Sequence, residues 1–114
     1  MGDTLVDVKV YSDGGCEMLE KVLVDTGATN TVIDPQSAKK IDVRIIGREE
    51  VDVKGKPVML DRGLVKVDLN GNEDFVPVWI TDIVPPVVGR TTLEILRFKV
   101  NPLTGKLKKN LPRI

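Results

Sequence analysis

A mostly-β, single-domain fold is predicted by three features of the chain. Its 114 residues suffice for one hydrophobic core. Val, Ile and Thr number 18, 8 and 8 against 2 Ala, and β-branched side chains favour pleated strands over helices. Apolar and polar residues alternate over short runs bounded by Gly, Asn and Pro.

The elements follow in order. Val6, Val8 and Val10 alternate with Asp7 and Lys9, which predicts a half-buried strand. Ser12-Asp13-Gly14-Gly15 reads as a turn, and Glu17 to Val24 returns as a second strand. Asp25-Thr26-Gly27-Ala28-Thr29-Asn30 is too small and polar to continue it, and Thr31-Val32-Ile33 is a short strand. Asp34 can cap a helix of one or two turns, with Pro35 at its first position and an end near Lys40. From Val43 the pattern is extended again. Val51, Val53, Val58 and Leu60 flank Lys54-Gly55-Lys56-Pro57 as a long exposed hairpin, with Gly63 near its base. Leu64 to Leu69 and Phe75 to Ile80 form another hairpin around Asn70-Gly71-Asn72, and Phe75 and Trp79 are expected in the core. Ile83 to Val88 is an apolar run punctuated by Pro85-Pro86. Thr91 or Thr92 is expected to cap a helix to about Arg97, the one convincing helix by pattern. Val100 and Leu107 flank a final turn, Asn101-Pro102-Leu103-Thr104-Gly105.

Composition narrows the chemistry. With no His there is no Ser-His-Asp or Cys-His catalysis and no imidazole metal site. The lone Cys16 cannot close an internal disulfide, which fits a reducing compartment. No apolar run approaches the roughly 18 residues of a membrane-spanning helix. The start MGDTLVDVKV is no signal peptide, and Val6 stands where myristoylation needs Ser or Thr. Basic and acidic residues balance at 17 each, so no global field points to nucleic acid or a membrane. Arg97, Lys99, Lys106, Lys108, Lys109 and Arg113 make the C-terminal stretch basic, which fits either a solvated face or an acidic partner. The expectation is a cytoplasmic domain without cofactor or metal, working through carboxylates, hydroxyls or backbone groups.

The chemistry concentrates in Leu23-Val24-Asp25-Thr26-Gly27-Ala28-Thr29. An acid directly after apolar strand residues sits at the strand's end, and burying a carboxylate without a partner is costly. The Thr26 hydroxyl can lock the loop, and Gly27 lets a ligand approach the backbone closely. Alone, this arrangement fits a structural turn as well as a catalytic acid. Leu23-Val24-Asp25-Thr26-Gly27 and Val87-Val88-Gly89-Arg90 share a plan: strand end, Gly turn, polar residues and a short helix downstream.

Val22 to Ile33, containing Asp25-Thr26-Gly27-Ala28, resembles the active-site segment of the retroviral-type (retropepsin-like) aspartic peptidases. Val87-Val88-Gly89-Arg90, followed by Thr91-Thr92-Leu93-Glu94-Ile95-Leu96, is similar to that family's second hallmark, an apolar-apolar-Gly-Arg turn entering a helix. The candidate flap hairpin and the Asn70-Gly71 hairpin lie between them in the family's order, so the resemblance covers about residues 5–110.

It implies an all-β acid-protease fold, a closed barrel with one short C-terminal helix, active as a homodimer. This route to peptide hydrolysis needs two carboxylates sharing one proton. No other acid here lies in an apolar-Asp-Thr/Ser-Gly context, since Asp13 precedes Gly14-Gly15 and Asp82 precedes Ile83. A second Asp25 from an identical subunit would complete the pair about a twofold axis. Asp25 is then the catalytic acid/base, Thr26 braces the two loops across the dimer, and the Gly27 carbonyl accepts bonds from substrate backbone. Ala28 matches the retroviral pattern, and its lack of a hydroxyl implies a mildly acidic to near-neutral working range. Leu23, Ala28, Thr29, Val32, Val53, Gly55, Val58 and Val87 are candidate substrate contacts, the aliphatic ones serving equally well as plain core. Val88, Gly89 and Arg90 are candidate structural support.

Two departures stand out. Thr29 occupies the place where retroviral enzymes carry an Asp that pairs with the second motif's Arg. That leaves Arg90 to bond Thr29, a backbone carbonyl or another acid. The flap offers Gly55 between Lys54, Lys56 and Pro57 in place of several glycines, which implies a stiffer, more basic tip. With Met1 at its start, the chain reads as a stand-alone cellular or prokaryotic homologue. The functional expectation is an endopeptidase cutting extended polypeptide at apolar residues. The alternative is a non-catalytic dimeric peptide- or protein-binding module on the same fold.

Overall fold

The computed structural model describes residues 3–114. Among these, nine strands and two short helices run in the order β1 (Leu5–Ser12), β2 (Gly15–Val24), β3 (Thr31–Ile33), α1 (Pro35–Lys40), β4 (Ile45–Val53), β5 (Lys56–Leu69), β6 (Asn72–Ile80), β7 (Val87–Val88), α2 (Arg90–Ile95), β8 (Phe98–Val100) and β9 (Leu107–Lys109).

The main sheet has the order β1-β2-β7-β3-β6-β5-β4, and an additional β1–β5 pairing closes its first six strands into a ring. Strand β5 is long enough to serve two structures. Its second half pairs with β6 and β1 inside the ring, and its first half pairs with β4 as a hairpin projecting beyond it. Alternation then decides what is buried. Val8, Val10, Val65, Val67, Leu69, Val76 and Val78 fill the barrel at about 1% exposure or less, joined by Leu93, Leu96 and Phe98 from the C-terminal region. A smaller apolar cluster of Val32, Leu60 and Trp79 lies under the hairpin.

Both long hairpins turn on an Asp-x-x-Gly pattern. Lys54-Gly55 and Asn70-Gly71 have φ of 52° and 86° in each case, the left-handed pair that matches strand twist in a two-residue turn. The Asp52 and Asp68 carboxylates accept the Gly55 and Gly71 N–H groups at 2.7 and 3.1 Å.

The structure adds three corrections. Phe75 is 60% exposed. It shares the outer face of β6 with Trp79, while Val76, Val78 and Ile80 point into the barrel; the hairpin covers Trp79 but does not reach Phe75. Neither Thr91 nor Thr92 caps α2. Gly89 is the N-cap, with no side-chain cap bond, because loop carbonyls take that role: Arg90 N–H donates to Ala28 O at 2.8 Å and Thr91 N–H to Thr29 O at 2.9 Å. Both expected helices are present with six residues each, but α2 ends at Ile95, short of Arg97. Helix α1 is capped as expected, with Ser37 N–H donating to Asp34 Oδ2 at 3.0 Å.

Among the described residues no helix is long and apolar enough to cross a membrane. The basic residues from Arg97 onward are all exposed.

Candidate functional site

The site is built where two strand ends meet. Strands β2 and β7 run parallel with Leu23 beside Val87 and Val24 beside Val88, so the two Gly-containing motifs lie side by side in register. The Asp25 N–H donates to Val88 O at 2.9 Å, continuing this ladder by one residue. The chain then turns. Ala28 N–H donates to Asp25 O at 3.1 Å, and Gly27 N–H to Asp25 Oδ1 at 2.9 Å. The carboxylate is thus oriented by its own loop, half-buried, with no ion pair among the described residues.

Behind the loop, the second motif locks it. An added Cβ at Gly89 would stand 2.3 Å from the Asn30 carbonyl carbon and 2.4 Å from its oxygen, so only glycine permits this backbone approach. Gly89 N–H donates to Thr31 Oγ1 at 3.1 Å, and Thr31 Oγ1 lies 2.6 Å from Thr92 Oγ1. Arg90, whose partner the sequence leaves open, donates from its guanidinium to the Thr26 carbonyl at 3.4 Å.

A cleft of about 670 Å³ opens above Asp25, between this loop, the β4–β5 hairpin and the 83–86 segment. Eight candidate residues line it: Leu23, Asp25, Gly27, Ala28, Thr29, Val32, Val53 and Val87. Three do not. Thr26 is exposed beside the loop, Gly55 is at the exposed hairpin tip, and Val58 packs on the Leu60–Trp79 cluster instead. Val88 and Gly89 are buried behind the loop, and Arg90 is exposed next to it.

The sequence reading missed part of the wall. Trp79, expected as plain core, lines the cleft with Leu60 and Thr81, and Ile83, Val84 and Pro85 form its far side. Trp79 Nε1–H also donates to Glu49 Oε1 at 2.9 Å, linking barrel wall to hairpin. Parity on β6 could have signalled this, because Trp79 alternates with Val78 and Ile80, which fill the barrel. Among the described residues no group of His, Cys, Asp or Glu could hold a metal ion.

A cleft floored by a loop-held aspartate and roofed by a β-hairpin has the shape to admit an extended chain. A search of curated proteins finds no match. The family model described as aspartyl protease matches residues 6–104, in agreement with the retropepsin-like resemblance. That span takes in the Asp25 loop, the roofing hairpin and the Gly89 turn, and the chain belongs to the aspartyl protease family.

Proposed function

We propose that the protein is an aspartic endopeptidase in which the Asp25 carboxylates of two identical subunits activate one water molecule. The observation that carries this reading is the Asp25 side chain, oriented by the Gly27 N–H on the floor of a hairpin-covered cleft. One such loop supplies one carboxylate, and the chemistry needs two. In the pair, the ionised carboxylate takes a proton from water as the water oxygen attacks the peptide carbon. The protonated partner gives its proton to the carbonyl oxygen. Proton return to the leaving amine then breaks the C–N bond. Thr26 braces the paired loops across the twofold axis, and the Gly27 carbonyl receives a substrate N–H. Leu23, Val32, Val53 and Val87 offer aliphatic walls, so apolar side chains are favoured beside the scissile bond. Ala28 and Thr29 complete the floor, with Gly55 and Val58 on the hairpin that closes over substrate.

The test compares wild type with Asp25→Asn on unstructured polypeptides across the mildly acidic to neutral range, reading new termini by mass spectrometry. Cleavage by wild type alone, at sites flanked by apolar residues, supports the peptidase. Equal cutting by both proteins overturns it. A dimer that cuts nothing transfers the cleft to the binding-module reading.

A further inference from the structure

Along β4 the half-buried residues are Gly47, Glu49, Val51 and Val53, while Arg48, Glu50 and Asp52 are exposed. Glu49 is therefore a carboxylate on the inner hairpin face, among Val51, Val53, Val58 and Leu60, with half-buried Arg62 farther along the same face. It lies opposite buried Leu60 and lines the cleft. Trp79 Nε1–H holds Oε1 at 2.9 Å, whereas Oε2 receives no hydrogen bond from the described residues and is not sealed from solvent. No described Lys or Arg forms an ion pair with Glu49. Arg62, two residues beyond Leu60 and opposite Gly47, forms no ion pair with it although its Nε is buried without a partner, and Lys54 lines the cleft at the hairpin tip.

A half-buried carboxylate held by one neutral donor lacks the cation that would offset its desolvation. We propose that Glu49 is a specificity-determining residue that receives a lysine or arginine side chain of the bound polypeptide. This assignment rests on the peptidase reading and names the substrate class for that cleft. The geometry suits such a side chain: its aliphatic stem lies along Val51, Leu60 and the Trp79 ring, and its cationic head meets Oε2. Because Trp79 already orients the carboxylate, little freedom is lost on binding. The partly enclosed wall also makes the ion pair stronger than one on open surface. The cleft thus combines apolar selection next to Asp25 with selection for positive charge farther along the hairpin.

The experiment uses short synthetic peptides carrying an apolar pair, with flanking positions occupied in turn by Lys, Arg, Gln, Glu or norleucine. Cleavage by wild type, Glu49→Gln, Trp79→Phe and a charge-matched control, Glu20→Gln on the exposed face of β2, is compared. Wild type and control should favour Lys or Arg over norleucine at one flanking position by about tenfold in kcat/KM. Glu49→Gln should lose that preference, cutting its Lys and norleucine peptides at similar kcat/KM, and Trp79→Phe should weaken it. Cleavage without a basic preference, or with one that survives Glu49→Gln, overturns the assignment and leaves the peptidase reading intact. Binding to Asp25→Asn is followed in parallel by the emission of Trp79, the chain's single tryptophan. If wild type cuts nothing but Asp25→Asn binds Lys peptides over norleucine peptides through Glu49, the peptidase reading fails and the cation subsite stands. Absence of both cleavage and differential binding overturns both.

Discussion

The hydroxyls of Thr31 and Thr92 lie 2.6 Å apart, buried, and tie the strand leaving the Asp25 loop to the helix that follows the second motif. Thr31 Oγ1 also accepts the Gly89 N–H, so one side chain serves both neighbours. Thr31→Val strands two buried groups, the Gly89 N–H and the Thr92 hydroxyl, whereas Thr92→Val strands less because Thr31 keeps Gly89. Each substitution should lower stability by about 1–3 kcal/mol, with Thr31→Val the costlier. Urea midpoints at unchanged slope would check the ranking.

Gly89 should tolerate no side chain. Its φ of −88° is open to any residue, so the restriction comes from the Asn30 backbone, 2.3 Å from where Cβ would stand. Backbone cannot rotate away as a flexible side chain can. Gly89→Ala should cost more than about 3 kcal/mol or prevent folding. Gly47→Ala, whose nearest neighbour is the Arg62 guanidinium at 3.7 Å, should fold normally. Thermal melts of the two variants distinguish close backbone packing from a general sensitivity to alanine.

Asp34 links helix capping to acid stability. Burial alone would raise its carboxyl pKa, but hydrogen bonds from Ser37, with backbone contributions that include Gln36, outweigh it and hold the group below the ordinary carboxylate value. A lowered folded-state pKa contributes stability above the unfolded value, lost as pH falls through the folded one. Asp34→Ala should cost about 1 kcal/mol at neutral pH. Asp34→Asn keeps a capping oxygen and should lose less, with a slightly flatter acid limb, since solvent screens this partly exposed group. Chemical denaturation from neutral to strongly acidic pH reads both effects.

Local chemistry made much of this molecule legible in advance. Asn70-Gly71-Asn72 and Lys54-Gly55-Lys56-Pro57 announced their hairpins because glycine at a tip allows the left-handed backbone of a tight turn, although the second turn proves to be only Lys54-Gly55. Asp34-Pro35 announced α1 for equally local reasons. The loop of Asp25 and the turn at Gly89 were readable as motifs, but not their side-by-side register, which depends on β7 inserting between β2 and β3. What depended on tertiary cover was misread. Phe75 and Trp79 have the same parity and similar chemistry, and only the hairpin overhead separates an exposed ring from a cleft wall. The Thr91 and Thr92 caps failed because carbonyls distant in sequence satisfy the helix first. The β1–β2 pairing also shifts register between Val6 and Val8. Lys21 has a φ of 51°, and its N–H binds the Asp7 carboxylate at 2.9 Å. That irregularity moves burial from alternation through Leu19 to Val22 and Val24, a change of phase that simple alternation does not anticipate.

In the proposed peptidase, two Asp25 carboxylates, one from each subunit, form a single catalytic centre. The most direct test mixes wild type with Asp25→Asn at varied ratios, after dissociation and reassociation of the subunits, at constant total protein. A shared centre predicts that cleavage falls with the square of the wild-type fraction, because every mixed dimer is silent. A linear fall would mean that each subunit works alone, and would rule out a centre shared between subunits.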